Sequence, residues 1–204
     1  MRGKFITVEG IDGAGKSTHL RWIARFLRSR GVKLKLTREP GGTAIGEKLR
    51  RLLLGGRQGL HPETEALLVF AARREHLDKV IIPALKTGEW VLCDRFTDAT
   101  YAYQSAGSGV AWKKVGVLER WVQESLQPDL TLLFDVSPAI GRQRAGWRKQ
   151  PDRFEREQDG YYGRVRKAYL KRARENPRRV RVIDANLSLA AIHKILEQLM
   201  TTYC

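Results

Sequence analysis

At 204 residues and 42% hydrophobic content, the chain suits one domain with a substantial core, which excludes a disordered or low-complexity protein. No apolar run approaches the ~20 residues of a membrane span, so a membrane partner is not expected. Against 22 Asp and Glu stand 38 Lys and Arg, a net charge of +16 that favours polyanionic ligands, whether nucleotides or nucleic acid.

In chain order, Phe5–Val8 reads as a buried strand that begins almost at once and leaves no room for a signal peptide. Gly10, Gly15, Lys16 and Ser17 then satisfy G-x-x-x-x-G-K-[ST], followed by the helix-like run Leu20 to Leu27. Strand, glycine loop and helix together are the context that makes this a phosphate-binding loop, and not a chance glycine turn. Its backbone N–H groups from Gly10, Ile11, Asp12, Gly13, Ala14 and Gly15 through Ser17 and Thr18 would converge on phosphate oxygens of a nucleoside triphosphate. Lys16 would reach the β- and γ-phosphates, and the Ser17 hydroxyl would ligate Mg²⁺.

A second strand is expected at Lys33–Thr37, then a helix at Ala44–Leu54 and another at Pro62–Leu85, which Pro83 must end or kink. Further strands follow at Trp90–Asp94, Leu130–Phe134 and Val180–Ile183, with helices at Trp112–Leu126 and Leu189–Met200, the last capped by Ser188. Strands alternating with helices predict an α/β fold of three layers, a five-stranded parallel sheet with helices on both faces, as in P-loop NTPases. The chain reads as a single domain over 1–204, with a mobile lid at about 141–153 where arginines 142, 144, 148 and 153 accompany glycines and a proline. Cys93 lies in an apolar run and Cys204 is the last residue, a usage that suggests a reducing cytoplasm.

Ligands of open α/β sheets bind outside the C-terminal ends of the strands. Four clusters fall there: Thr37-Arg38-Glu39-Pro40-Gly41-Gly42-Thr43, Asp94-Arg95-Phe96 with Thr100 to Gln104, Phe70 with Arg73 three residues on, and the arginine-rich loop. Arginine suits them because its planar fork binds phosphate bidentately at any working pH. Taken singly, Phe70 reads as a core residue of an apolar helix face, Tyr103 and Gln104 as turn residues, and Asp94-Arg95 as a structural ion pair.

The combination of G-I-D-G-A-G-K-S-T, T-R-E-P-G-G-T, F-A-A-R-R-E-H, D-R-F-T-D-A-T-Y-A-Y-Q and D-R-F-E resembles bacterial thymidylate kinases over essentially the whole chain. The resemblance implies transfer of the γ-phosphoryl of ATP to dTMP with Mg²⁺, in a cytoplasmic homodimer. It implies that Arg38 and Arg95 grip the acceptor 5′-phosphate, with Glu39 and Pro40 beside them, and that Asp94 holds Mg²⁺ through water. Asp12 would accept from the 3′-hydroxyl, Phe70 stack on thymine, Arg73, Thr100 and Gln104 bond the base edges, Tyr103 exclude a ribose hydroxyl, and Arg50 line the wall.

Family members carry the catalytic arginine in the phosphate loop or in the lid. The loop here has none at Ile11 to Ala14, so the resemblance assigns it to the lid, to Arg148 or Arg153. After Gln104 the stretch Ser105 to Gly109 lacks an arginine that many relatives have there. The basic segment Arg172 to Arg181 reads as a solvated face or a weak nucleic-acid surface. Two other functions fit less of the pattern: a different phosphate-loop nucleoside or nucleotide kinase, and a nucleic-acid-stimulated ATPase.

Overall fold

The structure, a computed structural model, describes residues 2–55, 60–144 and 153–203, with side chains from Gly160 onward in the last segment. Strands β1 (Phe5–Glu9), β2 (Leu34–Arg38), β3 (Trp90–Asp94), β4 (Leu130–Asp135) and β5 (Val180–Asp184) form one sheet in the order β2-β3-β1-β4-β5. Every pair is parallel, with Val8 opposite Asp94 and Glu9 opposite Leu133. Each strand lies within a residue of its expected bounds at either end. In β1 all five residues are buried, as a strand covered on both faces requires.

The helices cover both faces of the sheet. Helix α1 (Lys16–Ser29) buries Lys16, His19, Leu20, Ile23, Ala24 and Leu27, the i, i+3, i+4, i+7 stripe of a helix lying on a sheet. Helix α2 spans Ala44–Gly55 and α3 spans Pro62–His76. A wide π-helical turn at Leu77–Ile81 leads directly into α4 (Ile82–Lys86), where Ile82 N–H bonds to Leu77 O. That wide turn is how the helix passes Pro83, which lacks an N–H and would crowd the preceding turn of a regular helix.

After β3 come α5 (Thr97–Thr100) and a second wide turn at Tyr101–Gly107, so Tyr103 and Gln104 are helical and not turn residues. Helix α6 (Trp112–Gln123) ends earlier than expected, at Glu124, whose φ of 53° breaks the helix. Helix α7 (Pro138–Arg144) follows β4, and α8 (Arg153–Glu175) is the longest. Helix α9 (Leu189–Tyr203) is capped as expected, with Ala191 N donating to Ser188 Oγ at 3.3 Å.

The basic tail divides in two. Arg172 Nε donates to Asp98 Oδ1 at 2.8 Å and Arg179 Nη1 to Asp98 Oδ2 at 2.6 Å, all three largely shielded. Burial pushes the Asp98 carboxyl up, but Arg179 and Arg172 outweigh it and hold the group below its ordinary range. These two arginines clamp α8 and the approach to β5 onto α5, while Arg174 and Arg178 remain exposed. Two cations of the expected solvated face are therefore structural.

Candidate active site

In the sheet order, β1 is flanked by β3 on one side and β4 on the other, so the chain leaves β1 at a topological switch point. A crevice opens there at the C-terminal strand ends. The loop after β1 and the Asp94-Arg95-Phe96 segment after β3 face each other across it.

The phosphate loop is held from outside by α7. Gly13 has φ 78°, and a Cβ there would lie 1.9 Å from Gly141 O, so only glycine allows helix and loop to touch. Lys16 curls over the loop, with Nζ 2.9 Å from both Gly10 O and Ile11 O and 3.8 Å from Asp12 Oδ1. Burial, aided by the charge of Arg95, pulls its pKa down to about 8. Ser17 is exposed at the start of α1.

Arg95 has φ 69°, an uncommon backbone conformation for a residue with a side chain that costs roughly 1–2 kcal/mol. Two bonds hold it there, Arg95 N to Val8 O at 3.0 Å and Phe96 N to Glu9 Oε1 at 2.7 Å. Glu9 is fully buried and its other oxygen accepts from Tyr169 at 2.8 Å. Burial and nearby Asp98 push its carboxyl up to about 8, against the lowering effect of those hydrogen bonds. So positioned, Arg95 Nη2 reaches Asp12 Oδ1 at 2.6 Å and Tyr103 Oη at 3.1 Å, with its guanidinium 4.6 Å from the Tyr103 ring centroid. Tyr162 from α8 donates to Asp12 Oδ2 at 3.3 Å.

Beside this cluster is a cavity of about 270 Å³. Of the residues expected to hold an acceptor, Asp12, Glu39, Pro40, Arg73, Arg95, Thr100, Tyr103 and Gln104 all line it. Its far wall is a buried charge network. Arg73, 1% exposed, donates from Nε to Glu39 Oε2 at 2.8 Å and from Nη2 to Thr100 Oγ1 at 3.0 Å. His76 Nδ1 lies 2.9 Å from Glu39 Oε1, and its Nε2 lies 2.7 Å from Thr37 Oγ1. Burial raises the Glu39 carboxyl, but Arg73 and His76 prevail and keep it ionised. Within this network Arg73 Nη1 is left buried without a hydrogen-bond partner, a charged donor awaiting an acceptor.

Three expectations change. Phe70 does not line the cavity: it is 1% exposed in the core, with the Arg73 guanidinium 4.7 Å from its ring centroid. Its neighbour Val69, with Phe96, Leu53, Leu54 and Ala99, supplies the apolar lining, so the expected stacking face of Phe70 is not presented. Adjacent helix positions differ by about 100°, and turning Val69 inward turns Phe70 into the core. Arg38 is turned away, 55% exposed, with Nη2 on Glu47 Oε2 at 3.0 Å. Arg50 donates to Pro40 O at 2.8 Å and stands behind the wall instead of on it.

Sequence reasoning missed Glu65, Tyr161 and Tyr162, all cavity-lining. The tyrosines could have been found as an aromatic pair following D-R-F-E at helical spacing. In the stretch after Gln104, Arg164 of α8 donates to Ala106 O at 3.1 Å and Gly107 O at 3.1 Å, so a cation still stands at this turn. The lid expectation lies mostly outside the described residues, including Arg148 and the side chain of Arg153. Gly141 to Arg144 belong to α7, and Arg144 donates to Ala185 O at 2.7 Å.

A family model described as thymidylate kinase matches residues 8–196. The chain belongs to the thymidylate kinase family. A thymidylate kinase of Nitrosospira multiformis is 61% identical over 202 residues, covering 99% of this chain and 98% of that one. One from Cupriavidus necator is 56% identical over 204 residues, covering 99% and 100%. The crystal structure of a thymidylate kinase from Ehrlichia chaffeensis superimposes with a TM-score of 0.80 at 36% identity, covering 98% of this chain and 99% of the other.

The residues at the strand ends also fit a divalent cation. Asp94 Oδ1, at the end of β3, is buried without a hydrogen-bond partner, and Ser17 is exposed at the start of α1. Among the described residues no cluster of three or more His, Cys, Asp or Glu could hold an ion by itself. An ion here would be bound through phosphate oxygens and water, as Mg²⁺ prefers. Among the described residues, no helix is long and apolar enough to cross a membrane.

Proposed function

We propose that the chain transfers the γ-phosphoryl group of ATP to dTMP, giving ADP and dTDP. The observation that carries this reading is the cavity beside the phosphate loop, whose wall offers an unpaired donor, Arg73 Nη1, to a pyrimidine carbonyl. The donor triphosphate sits on Gly10 to Thr18, with Lys16 leaving its carbonyl contacts for the β- and γ-oxygens. The acceptor base enters between Val69 and Phe96, with Arg73, Thr100 and Gln104 at its polar edge. Tyr103, held against Arg95, fills the space beside C2′ and disfavours ribonucleotides. Asp12 accepts from the 3′-hydroxyl.

Attack of one phosphate on another faces anion–anion repulsion and a loose transition state, so positioning and positive charge do most of the work. Arg95 is poised for both phosphates, and Arg38 joins it by exchanging Glu47 for the acceptor phosphate. Arg148 and Arg153, at the lid of about 141–153, are the proposed sources of charge on the transferring group. Mg²⁺, held by Ser17 and through water by Asp94, would neutralise the phosphate oxygens.

A homodimer is supported by exposed Leu67 on α3 and by Val117 and Trp121, one turn apart on α6, with Trp121 76% exposed. Its check is a solution mass of twice 23.3 kDa. A cytoplasmic location agrees with free, buried Cys93, and protein in the soluble fraction of lysed cells is its check. The net charge of +16 supports only weak, salt-sensitive association with nucleic acid, to be measured at two salt concentrations.

The deciding experiment is ADP release with Mg-ATP and dTMP, dUMP, UMP, dCMP, dGMP or AMP. Strong turnover with dTMP, less with dUMP and almost none with UMP is expected. Equal turnover with every acceptor would defeat the reading.

A further inference from the structure

Gln104 is one of the polar groups on the cavity wall placed to read a base edge, and unlike Arg73 it is ambiguous. A primary amide can present a donor or an acceptor, depending on which way it is turned. Here its Nε2 donates to Glu65 Oε1 at 2.6 Å. Glu65 stands in the first turn of α3, at the edge of the same cavity. The Glu65 oxygen is the acceptor in this bond, so a turned amide would set two oxygens against each other. The orientation, usually a matter of assignment for an amide, is dictated by this neighbour. Gln104 Oε1 has no hydrogen bond among the described residues and is the corner left for a ligand.

We propose that Glu65 is a positioning residue that makes the pocket select thymine and uracil over cytosine. Resting on the nucleotide-kinase reading above, it holds the Gln104 carbonyl toward the cavity, where it accepts from the N3–H of the base. Cytosine has a lone pair at N3, which would meet the Gln104 oxygen, and an amino group at C4, which would meet the Arg73 donor. Arg73 can never be anything but a donor. Gln104 could be either, and Glu65 removes the choice.

The test compares initial rates with dTMP, dUMP and dCMP for the wild type, Glu65→Gln and the exchange Glu65→Gln/Gln104→Glu. In Glu65→Gln the amide at 65 can donate or accept, so Gln104 is free to turn. The ratio of kcat/KM for dTMP to that for dCMP should then fall about tenfold, the size of one mispaired buried hydrogen bond. The ratio of dTMP to dUMP, which differ only at C5, should stay as in the wild type. The exchange should recover much of the dTMP-to-dCMP ratio, because the new carboxylate at 104 can only accept while the new amide at 65 donates to it. A structural role for Glu65 would lower all three acceptors together and gain nothing from the exchange.

If the wild type fails to phosphorylate dTMP, the kinase reading itself is overturned. If the wild type discriminates and Glu65→Gln keeps the same ratio, only the role of Glu65 is overturned. Should Glu65→Gln fail to fold by circular dichroism, Glu65→Ala frees Gln104 in the same way and is read by the same ratio.

Discussion

The two ends of the site are built by opposite means. At the base end, Arg73, Glu39, His76, Thr37 and Thr100 form one buried network whose members are already in place. At the phosphate end Arg95 is already in place, but Arg38 is exposed and occupied elsewhere, on Glu47, with side chains 55% and 40% exposed. A buried pair is desolvated once, at folding, and breaking it strands a charge, at about 3–5 kcal/mol. An exposed pair contributes about 0–1 kcal/mol, so a phosphate dianion can displace the carboxylate. Shape and hydrogen-bond polarity are thus set before the ligand arrives, and the charge of Arg38 is delivered with it.

The sharpest way to break this comparison is to remove one arginine from each end. Arg73→Leu should strand the Glu39 carboxylate and lower unfolding stability by about 3–5 kcal/mol, measured by urea titration. Arg38→Ala should leave stability within about 0.5 kcal/mol while reducing kcat/KM for dTMP about 10- to 100-fold, the worth of a lost charged hydrogen bond. Equal destabilisation by both would erase the distinction.

A smaller effect separates Lys16 from the arginines. Its cationic form, the one that binds phosphate, is lost as pH rises through about 8. Bound phosphates favour that form, so the Kd for ATP should be flat below pH 8 and weaken by up to about tenfold per unit above it. Arginine contacts titrate far higher, and a Kd unchanged to pH 9.5 by calorimetry would mean that Lys16 keeps its proton without nucleotide.

The smallest change is expected from Glu47→Gln, which weakens the hold on Arg38 without touching the cavity. The KM for dTMP should drop about two- to threefold with kcat unchanged, in keeping with the modest worth of an exposed pair. A rise in KM would instead make Glu47 a support that aims Arg38 at the phosphate.

Much of the architecture was legible because its signals are local. Apolar runs marked all five strands, and a glycine loop between strand and helix can serve few other purposes. The helices at Pro138–Arg144 and Arg153–Glu175 were not legible, because their arginine-rich composition resembles a loop. Their charge makes sense only with distant partners, as when Arg172 of α8 meets Asp98 across 74 residues. Glu65 carries no sequence signal, since its role depends on Gln104, 39 residues away.

By itself, then, the sequence determined the parallel α/β order, the phosphate loop and the motif set that marks a thymidylate kinase, because periodicity and motif spacing are properties of contiguous residues. The tertiary structure alone decided that Val69 and not Phe70 faces the cavity, that Arg38 rests on Glu47, and that the Gln104 amide is turned by Glu65. Those outcomes depend on the rotation of a packed helix and on which charges desolvation brings within hydrogen-bond reach, and neither is encoded in any one stretch of chain.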